Sequence, residues 1–475
     1  MATIIDAPPT NEGAMERRSI EWVPTNERRG TLKSVGAVWF VSNINLTAMA
    51  TGTAALSIGG GLLWTVIATV LGSLFGTFFM AFHSTQGPKL GLPQLVQSRP
   101  QFGYLGAAVT VFVAALINYI AFNTSDALLS GAAAHVLFSI PPRVGYVIAA
   151  LAAAVLALFG YHWIHKINRW LTIPLIIIMV AMTVAAFSNT QLPASVWNLG
   201  EFKPAAFMTV FVIMAGFQLG WAPYVSDYSR YLPATVGVKA SFWWTFLPSG
   251  ISAVWVFVLG AVMSAAAPKA DPVSAFLTAA SHFGPVFGWI AILALLVGLL
   301  SVMGINQYGG SLTIISIIDS FRPVTSTLKI RAITVGMMFV LIFGISQVVG
   351  IDGFNTFYAN VLVFIAYVFT PWTAINLVDY FFVRKGHYVI GEIFNPRGIY
   401  GRWGWRGTSA YLIGILAMVP FMVTVPFTGF IAAAWGGVDY SLFIGLPVGG
   451  VIYLVLCRSL DLATERRMVA EEGIL

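Results

Sequence analysis

Long apolar stretches separated by short polar ones run the length of the chain. Stretches free of Asp, Glu, Lys and Arg cover 34–82, 100–125, 170–200, 204–226, 240–268, 272–318, 332–351, 353–378, 407–438 and 440–457, with a further one opening at 144. Nearly all reach the ~20 residues that a helix needs to cross hydrocarbon. The first is too long for one crossing and is cut by Gly59, Gly60 and Gly61, which predicts two helices joined by a tight turn. The stretch 272–318 holds a short surface helix followed by one long span. The pattern predicts an all-α polytopic membrane protein with twelve transmembrane helices.

Composition agrees with the pattern. Of 475 residues, 58% are hydrophobic and 9% charged, and the mean hydropathy is +0.83, values of a multi-pass membrane protein. Lys and Arg are retained in cytoplasmic loops. Threading twelve spans from an inside N-terminus leaves Arg143, Lys203 and Lys269 as the outside members of the 25 basic residues. Both termini are therefore expected to be cytoplasmic, with the chain in the plasma (cytoplasmic, or inner) membrane. The net charge of +7 is spread over loops and tails as a topology signal, so the lipid bilayer is an expected partner and nucleic acid is not.

Other classes find little support. Residues 1–30 are polar, with Arg17, Arg18, Arg28 and Arg29, and lack the apolar core of a secretory signal. Cys457 is the sole cysteine, which excludes an internal disulfide and a paired-thiolate metal site. HExxH, P-loop and Gly-x-Ser-x-Gly motifs are absent, so neither an enzyme nor a cofactor is expected. His135, His162, His165, His282 and His387 fall at span ends or in loops and read as interfacial, and His83 closes span two in the same way.

Two spans carry their own helix breakers. GFQLGWAPYVSDYSRYLP, from Gly216 to Pro233, places Gly216, Gly220 and Pro223 near the middle of span six. SNINLTAMATG, from Ser42 to Gly52, interrupts span one with Asn43 and Asn45. Irregular backbone at membrane depth is tolerated only against protein or a wet cavity. Spans one and six each open a group of five helices, the arrangement of an inverted-repeat transporter with a midplane site. Small residues also permit close helix packing, which accounts for many of the 46 glycines. Amides in lipid are costly unless paired, so Asn43, Asn45 and Gln218 favour the cavity reading.

The tract VSDYSRYLP (Val225 to Pro233) after the broken sixth span, with the amide of INQY (Ile305 to Tyr308) on span eight, resembles the purine-cytosine permease branch of the nucleobase:cation symporter-1 family. The resemblance implies a leucine-transporter-like fold and cation-coupled import of a nucleobase or related heterocycle through alternating access. It divides the chain into a cytoplasmic tail (1–32), a first inverted repeat of spans one to five (33–190) and a second of spans six to ten (204–385). A cytoplasmic loop (386–408), two further helices (409–458) and a C-terminal tail (459–475) complete it. Allantoin, a hydantoin, thiamine or, in a carrier of the same fold, an amino acid are alternative solutes.

A neutral planar base needs aromatic faces above and below and amides around its edge, since amides donate and accept at once. Span three offers Asn118 and Phe122, four apart on one helical face, with Asn123 adjacent and Tyr119 as an alternative platform. Span six offers Phe217, Gln218 and Trp221, and span eight Asn306 and Gln307. The expected sandwich is Phe122 with Phe217 or Trp221, and Asn118, Gln218 and Asn306 read the edge. Asn306 matches the family's substrate-binding amide by its place before Gln307 and Tyr308.

The resemblance places a sodium ion between carbonyls at the break of span one, here Ser42 and Asn45, and hydroxyls four to six residues before Asn306. Ser301 fits, whereas Leu300 stands where a second hydroxyl is expected, so sodium and a proton are both open as the coupling ion. Asp126 is a candidate for proton coupling or cavity polarity, or a hydrogen-bonded cap near the outer mouth. Asp227 and Arg230, three apart at the inner end of span six, read as a structural or gating pair that Asp379 joins.

Overall fold

The computed structural model describes residues 21–473 apart from 160, 189–191, 193–196, 198–201, 269, 323, 325 and 326. Arg17, Arg18 and Lys269 lie outside the described residues, as do the side chains of His162 and His165. The described elements are helical, with no strand among them. Eight helices are long and apolar enough to cross a membrane by length and composition.

The chain opens with α1 (Leu32–Ser42) and α2 (Leu46–Ser57). They flank the interruption expected in span one, and each is too short to span a bilayer alone. Thr31 starts α1 with a capping box shared with Ser34. Asn45 starts α2, its side chain accepting from the Ala48 N–H at 2.7 Å. Asn43, in the gap, is fully buried and donates to the Ser249 carbonyl at 3.2 Å and the Ser252 hydroxyl at 3.1 Å. The break in span one is thus closed by protein groups, as a bilayer requires. Gly59 and Gly61, with φ of 85° and 79°, make the expected turn into α3 (Leu62–Ser84).

There follow α4 (Val113–Phe138), α5 (Pro142–Phe159) and α6 (Tyr161–Ser188). The second interrupted crossing is α7 (Pro204–Leu219) and α8 (Val225–Ser229), joined through a short turn, Ala222–Tyr224, that carries Pro223. Then come α9 (Val238–Ala266), the short α10 (Pro272–Ala280), α11 (Pro285–Phe321), α12 (Leu328–Val349) and α13 (Phe354–Val378). The chain closes with α14 (Trp405–Met418), α15 (Ser441–Leu456) and α16 (Leu462–Glu472). The broken pairs lie at the centre, α2 against α9 and α7 against both α3 and α13.

Two glycines set the closest of these approaches. A Cβ on Gly52 would stand 1.9 Å from the Phe257 carbonyl oxygen, and one on Gly260 1.9 Å from that of Met49. Helices α2 and α9 therefore touch backbone to backbone. Gly216 behaves in the same way rather than as a breaker: it lies inside α7, where a Cβ would meet the Leu362 carbonyl of α13 at 2.1 Å. The interruption itself begins at Gly220.

Two polar assignments change. His83 is not interfacial but fully buried, with Nδ1 3.1 Å from the Gln94 amide nitrogen and Nε2 3.3 Å from the Thr373 hydroxyl. Gln94 and Asn376 both bond the Gln86 side chain, so the histidine belongs to a polar network between α3 and α13. Sequence position alone put it at a helix end; the buried segment after α3 covers that end. His135, His282 and His387 are exposed. Asp379 does not join Asp227 and Arg230, because it is held by Arg384 at 2.5 Å, Gln101 at 2.6 Å, and Tyr388 and Tyr453 at 2.9 Å.

Candidate functional site

The two breaks face one cavity of about 30 Å³, lined by α2, α4, α7, the turn after α7 and α11. From α4 come Asn118, Tyr119, Phe122 and Asp126, successive turns of one face. Phe217, Gly220, Trp221 and Tyr224 come from the second break, Asn45 and Thr47 from the first, and Val302 and Asn306 from α11.

The aromatic geometry separates the two candidate stacking partners of Phe122. Trp221 lies with its ring centroid 6.5 Å away and its plane 28° from that of Phe122. Phe217 meets Phe122 edge-on, at 5.6 Å and 83°. A ring held at van der Waals contact between two faces needs them about 7 Å apart. The Phe122–Trp221 pair therefore has the orientation and nearly the spacing of an open sandwich, with Phe217 as its side wall. Tyr119 pairs instead with Tyr224, at 4.7 Å and 34°.

Several lining groups hold polar atoms in reserve. Asn118 Nδ2 donates to the Gly220 carbonyl at 3.1 Å and to the Tyr224 hydroxyl at 2.9 Å, while its Oδ1 is buried without a protein partner. Asp126 Oδ1 accepts from the Thr47 hydroxyl at 2.5 Å, and its Oδ2 is buried without a partner. Trp221 Nε1 is buried and unpartnered as well. Buried polar atoms are ordinarily satisfied, so such a group in one small cavity marks a place where a solute or water completes the bonding.

Three expected amides are elsewhere. Gln218 is fully buried and donates to the Thr77 hydroxyl at 2.6 Å and the Ser249 hydroxyl at 3.1 Å, tying α7 to α3 and α9. Gln307 donates to the Ala150 carbonyl of α5 at 3.1 Å, and Asn123 to the Tyr119 carbonyl of its own helix at 3.1 Å. Each neighbours a lining residue in sequence, but adjacent positions on a helix point about 100° apart. Conversely, Thr47, Tyr224 and Val302 line the cavity without having been singled out. Val302 is four residues before Asn306, on the same face, and Tyr224 lies in the break itself.

At the break of span one the Ser42 carbonyl accepts from Asn45 Nδ2 at 2.7 Å, and the Ser42 hydroxyl donates to the Val38 carbonyl. Ser301 is buried on α11 with its hydroxyl unpartnered, and Leu300 is partly buried against the core. The chemistry of Ser301 suits an oxygen-seeking cation, as a hard ion requires.

A larger vestibule of about 440 Å³ begins where the cavity ends, sharing Tyr119, Trp221, Tyr224 and Asn306 with it. Its walls include Ser34 and Val38 of α1, Asp227 and Arg230 of the α8 end, and Gly309 and Thr313 of α11. Asp227 Oδ1 accepts from the Gln94 N–H at 2.9 Å. Arg230 is buried and donates to the Glu21 carbonyl at 3.3 Å and to the Tyr231 hydroxyl at 3.1 Å. Arg28, in the segment before α1, donates to the Val23 and Pro88 carbonyls at 2.8 and 2.6 Å, and burial pushes its guanidinium down to about 10, so it stays charged at neutral pH.

Residues 22–445 match the family model described as permease for cytosine/purines, uracil, thiamine, allantoin. The chain belongs to this permease family. YxlA of Bacillus subtilis (strain 168), named as a purine-cytosine permease, is 35% identical over 94% of this chain and 96% of its own length. The purine-cytosine permease FcyB of Emericella nidulans is 26% identical over 93% of this chain and 88% of its own. Among solved structures, the inward-facing conformation of Mhp1 aligns with a TM-score of 0.75 at 17% identity, covering 98% of each chain. Mhp1, a nucleobase-cation-symport-1 family transporter, closed with bromovinylhydantoin bound, aligns with a TM-score of 0.72 at 18% identity, over 96% of this chain and 99% of that one. This permease is thus a multi-pass membrane transporter with the Mhp1 fold, and its relatives are carriers, not enzymes.

Proposed function

We propose that this permease imports a nucleobase or related heterocycle of the cytosine/purine type by cation symport through alternating access. The observation that carries the reading is the cavity between both breaks, α4 and α11, where the rings of Phe122 and Trp221 lie 28° from parallel beside the unpartnered oxygens of Asn118 and Asp126. Phe122 and Trp221 stack on the two faces of the ring, Phe217 closes its side, and Asn118 and Asn306 read its edge. The amides complement an edge that alternates carbonyl and ring N–H groups. Ser301 and the carbonyls of Ser42 and Asn45 are the candidate sites of a sodium ion, and Asp126 that of a proton.

The architecture in this reading has twelve crossings, with 33–190 and 204–385 as inverted repeats, 409–458 as two added helices, and both termini cytoplasmic in the plasma membrane. The vestibule then opens to the cytoplasm, with Asp227 and Arg230 on its wall. A cavity of about 30 Å³ holds little more than a water. A base therefore enters by parting Phe122 from Trp221, and its affinity for one state over another sets how far it biases the bundle. The test is uptake of radiolabelled heterocycles into proteoliposomes under separately imposed sodium and proton gradients. Saturable uptake of one base, weakened by Asn306→Ala, is expected; if no heterocycle on the panel crosses faster than in empty liposomes, the reading fails.

A further inference from the structure

We infer that the vestibule is a second ligand site, for a nucleoside monophosphate whose phosphate is held by Arg99; the base that it carries and the cytoplasmic side from which it comes rest on the transport reading above. Arg99 lies in the segment between α3 and α4 and lines the vestibule at 2% exposure. Its guanidinium packs against the rings of Tyr104, 4.0 Å from Cζ, and Phe394, at 5.8 Å. Nη1 donates to the Ile393 carbonyl at 3.3 Å, and Nε is buried without a partner. Arg99 has no ion pair among the described residues. Asp319 of α11 acts on it only at a distance, with one carboxylate oxygen accepting from the Val324 N–H at 3.0 Å. A buried cation with neither a counterion nor a full set of acceptors is costly. Nε shares with Nη2 the edge of the guanidinium that grips two oxygens of a phosphate or carboxylate.

The transported base is neutral and gives that edge nothing to hold. The charges on the vestibule wall favour an anion: Arg99 and Arg230, both 2% exposed, stand against one carboxylate, Asp227. Asp227 already accepts from the Gln94 N–H. The volume of about 440 Å³ is that of a small-ligand pocket. Its walls include Tyr119, Trp221, Tyr224 and Asn306, which also line the base cavity. A base joined through ribose to a phosphate meets both sets of groups, its ring against the aromatic and amide side chains and its phosphate on Arg99. Free phosphate meets the second set alone, and a nucleoside the first alone. Such a monophosphate arises in the class of reaction that joins an imported base to ribose phosphate. Held in the exit path, it blocks release of the next base, so uptake slows as that product accumulates.

The test uses the purified full chain, in detergent and in proteoliposomes, with AMP, CMP, adenosine, cytidine and inorganic phosphate as probes. Equilibrium binding of radiolabelled AMP or CMP to the wild type is expected, with the nucleosides and phosphate each binding about tenfold or more weakly. Arg99→Gln is expected to weaken the monophosphate by about the same factor and to leave nucleoside binding unchanged. Arg99→Lys, which keeps the charge and loses the fork, falls between the two. In proteoliposomes, the same monophosphate inside slows uptake of radiolabelled adenine or cytosine by the wild type and not by Arg99→Gln. Failure of both monophosphates to bind, equal binding of phosphate or nucleoside alone, or equal binding to Arg99→Gln overturns the site. If Arg99→Gln does not fold, the wild-type comparison of monophosphate with nucleoside and phosphate still decides. Binding of a monophosphate with no uptake of any base defeats the transport reading and not the site; uptake with no monophosphate binding does the reverse.

Discussion

The imidazole of His83 lies flat on the indole of Trp372, ring centroids 4.6 Å apart and planes 2° apart. Its two nitrogens are spoken for by Gln94 and Thr373, and the Trp372 N–H donates to the Ser98 hydroxyl at 2.9 Å. One stacked pair therefore fastens α3, the segment after it and α13. His83→Phe keeps the stack and strands the two partners, at an expected cost of about 1–3 kcal/mol. His83→Ala costs about 1 kcal/mol more through the lost ring contact. Thermal unfolding in detergent measures both, and a His83→Phe Tm equal to the wild type would show that the hydrogen bonds contribute nothing.

The sandwich predicts unequal losses from its aromatic members. Trp221→Ala removes a stacking face worth about 1–3 kcal/mol, or about 5- to 150-fold in affinity. Phe217→Ala, which removes an edge-on wall, costs less. Equilibrium binding of the transported base to the two variants decides the matter, and the reverse order would place the base between other rings.

Among the amides, position relative to the cavity predicts the phenotype. Asn306→Ala is expected to weaken base binding by about 1–2 kcal/mol with little change in Tm. Gln218→Met is expected to lower Tm by freeing Thr77 and Ser249, with affinity unchanged. Measuring affinity and Tm on the same preparations separates the two; a Gln218→Met protein that melts normally but binds weakly would return that amide to the site.

Gly52→Ala forces a methyl group to within 1.9 Å of the Phe257 carbonyl unless α2 and α9 separate. Neither partner is a flexible side chain, so a cost of about 3 kcal/mol or more follows. The yield of monodisperse protein on size exclusion is the readout, and a normal yield would mean that the two helices pack less closely than described.

Arg384 is 4% exposed between Asp379 at 2.5 Å and Glu465 of α16 at 2.9 Å. Arg384→Met leaves two acids without their cation, at an expected cost of about 3–5 kcal/mol. Because Glu465 tethers the C-terminal helix, faster amide exchange in 462–472 should accompany the loss; unchanged protection there would detach the helix from this pair.

Much of this permease was readable from one dimension. Apolar runs marked its helices, Gly59 to Gly61 marked the first turn, and amides, glycines and a proline at mid-span marked both breaks. These signals are local: a bilayer penalises every unpaired backbone group and exposed amide, so the departures from apolar sequence stand out. Asn118, Phe122, Phe217, Trp221 and Asn306 were legible as candidates for the same reason. What stayed hidden is direction. Gln218 and Gln307 carry the same chemistry as Asn306, yet neighbouring side chains on a helix point to different faces, and only the packed bundle shows which face meets the cavity. His83 looked like a helix end until the segment after α3 folded over it, and Gly216 looked like a break until α13 came to rest against it. The choice of Trp221 over Phe217 as the parallel face, and the meeting of Thr47 with Asp126, depend on contacts between residues far apart in the chain. Hydrophobicity along the sequence determined what must be buried and where the helix must stop; the packing of distant helices decided which polar atoms were left facing one another.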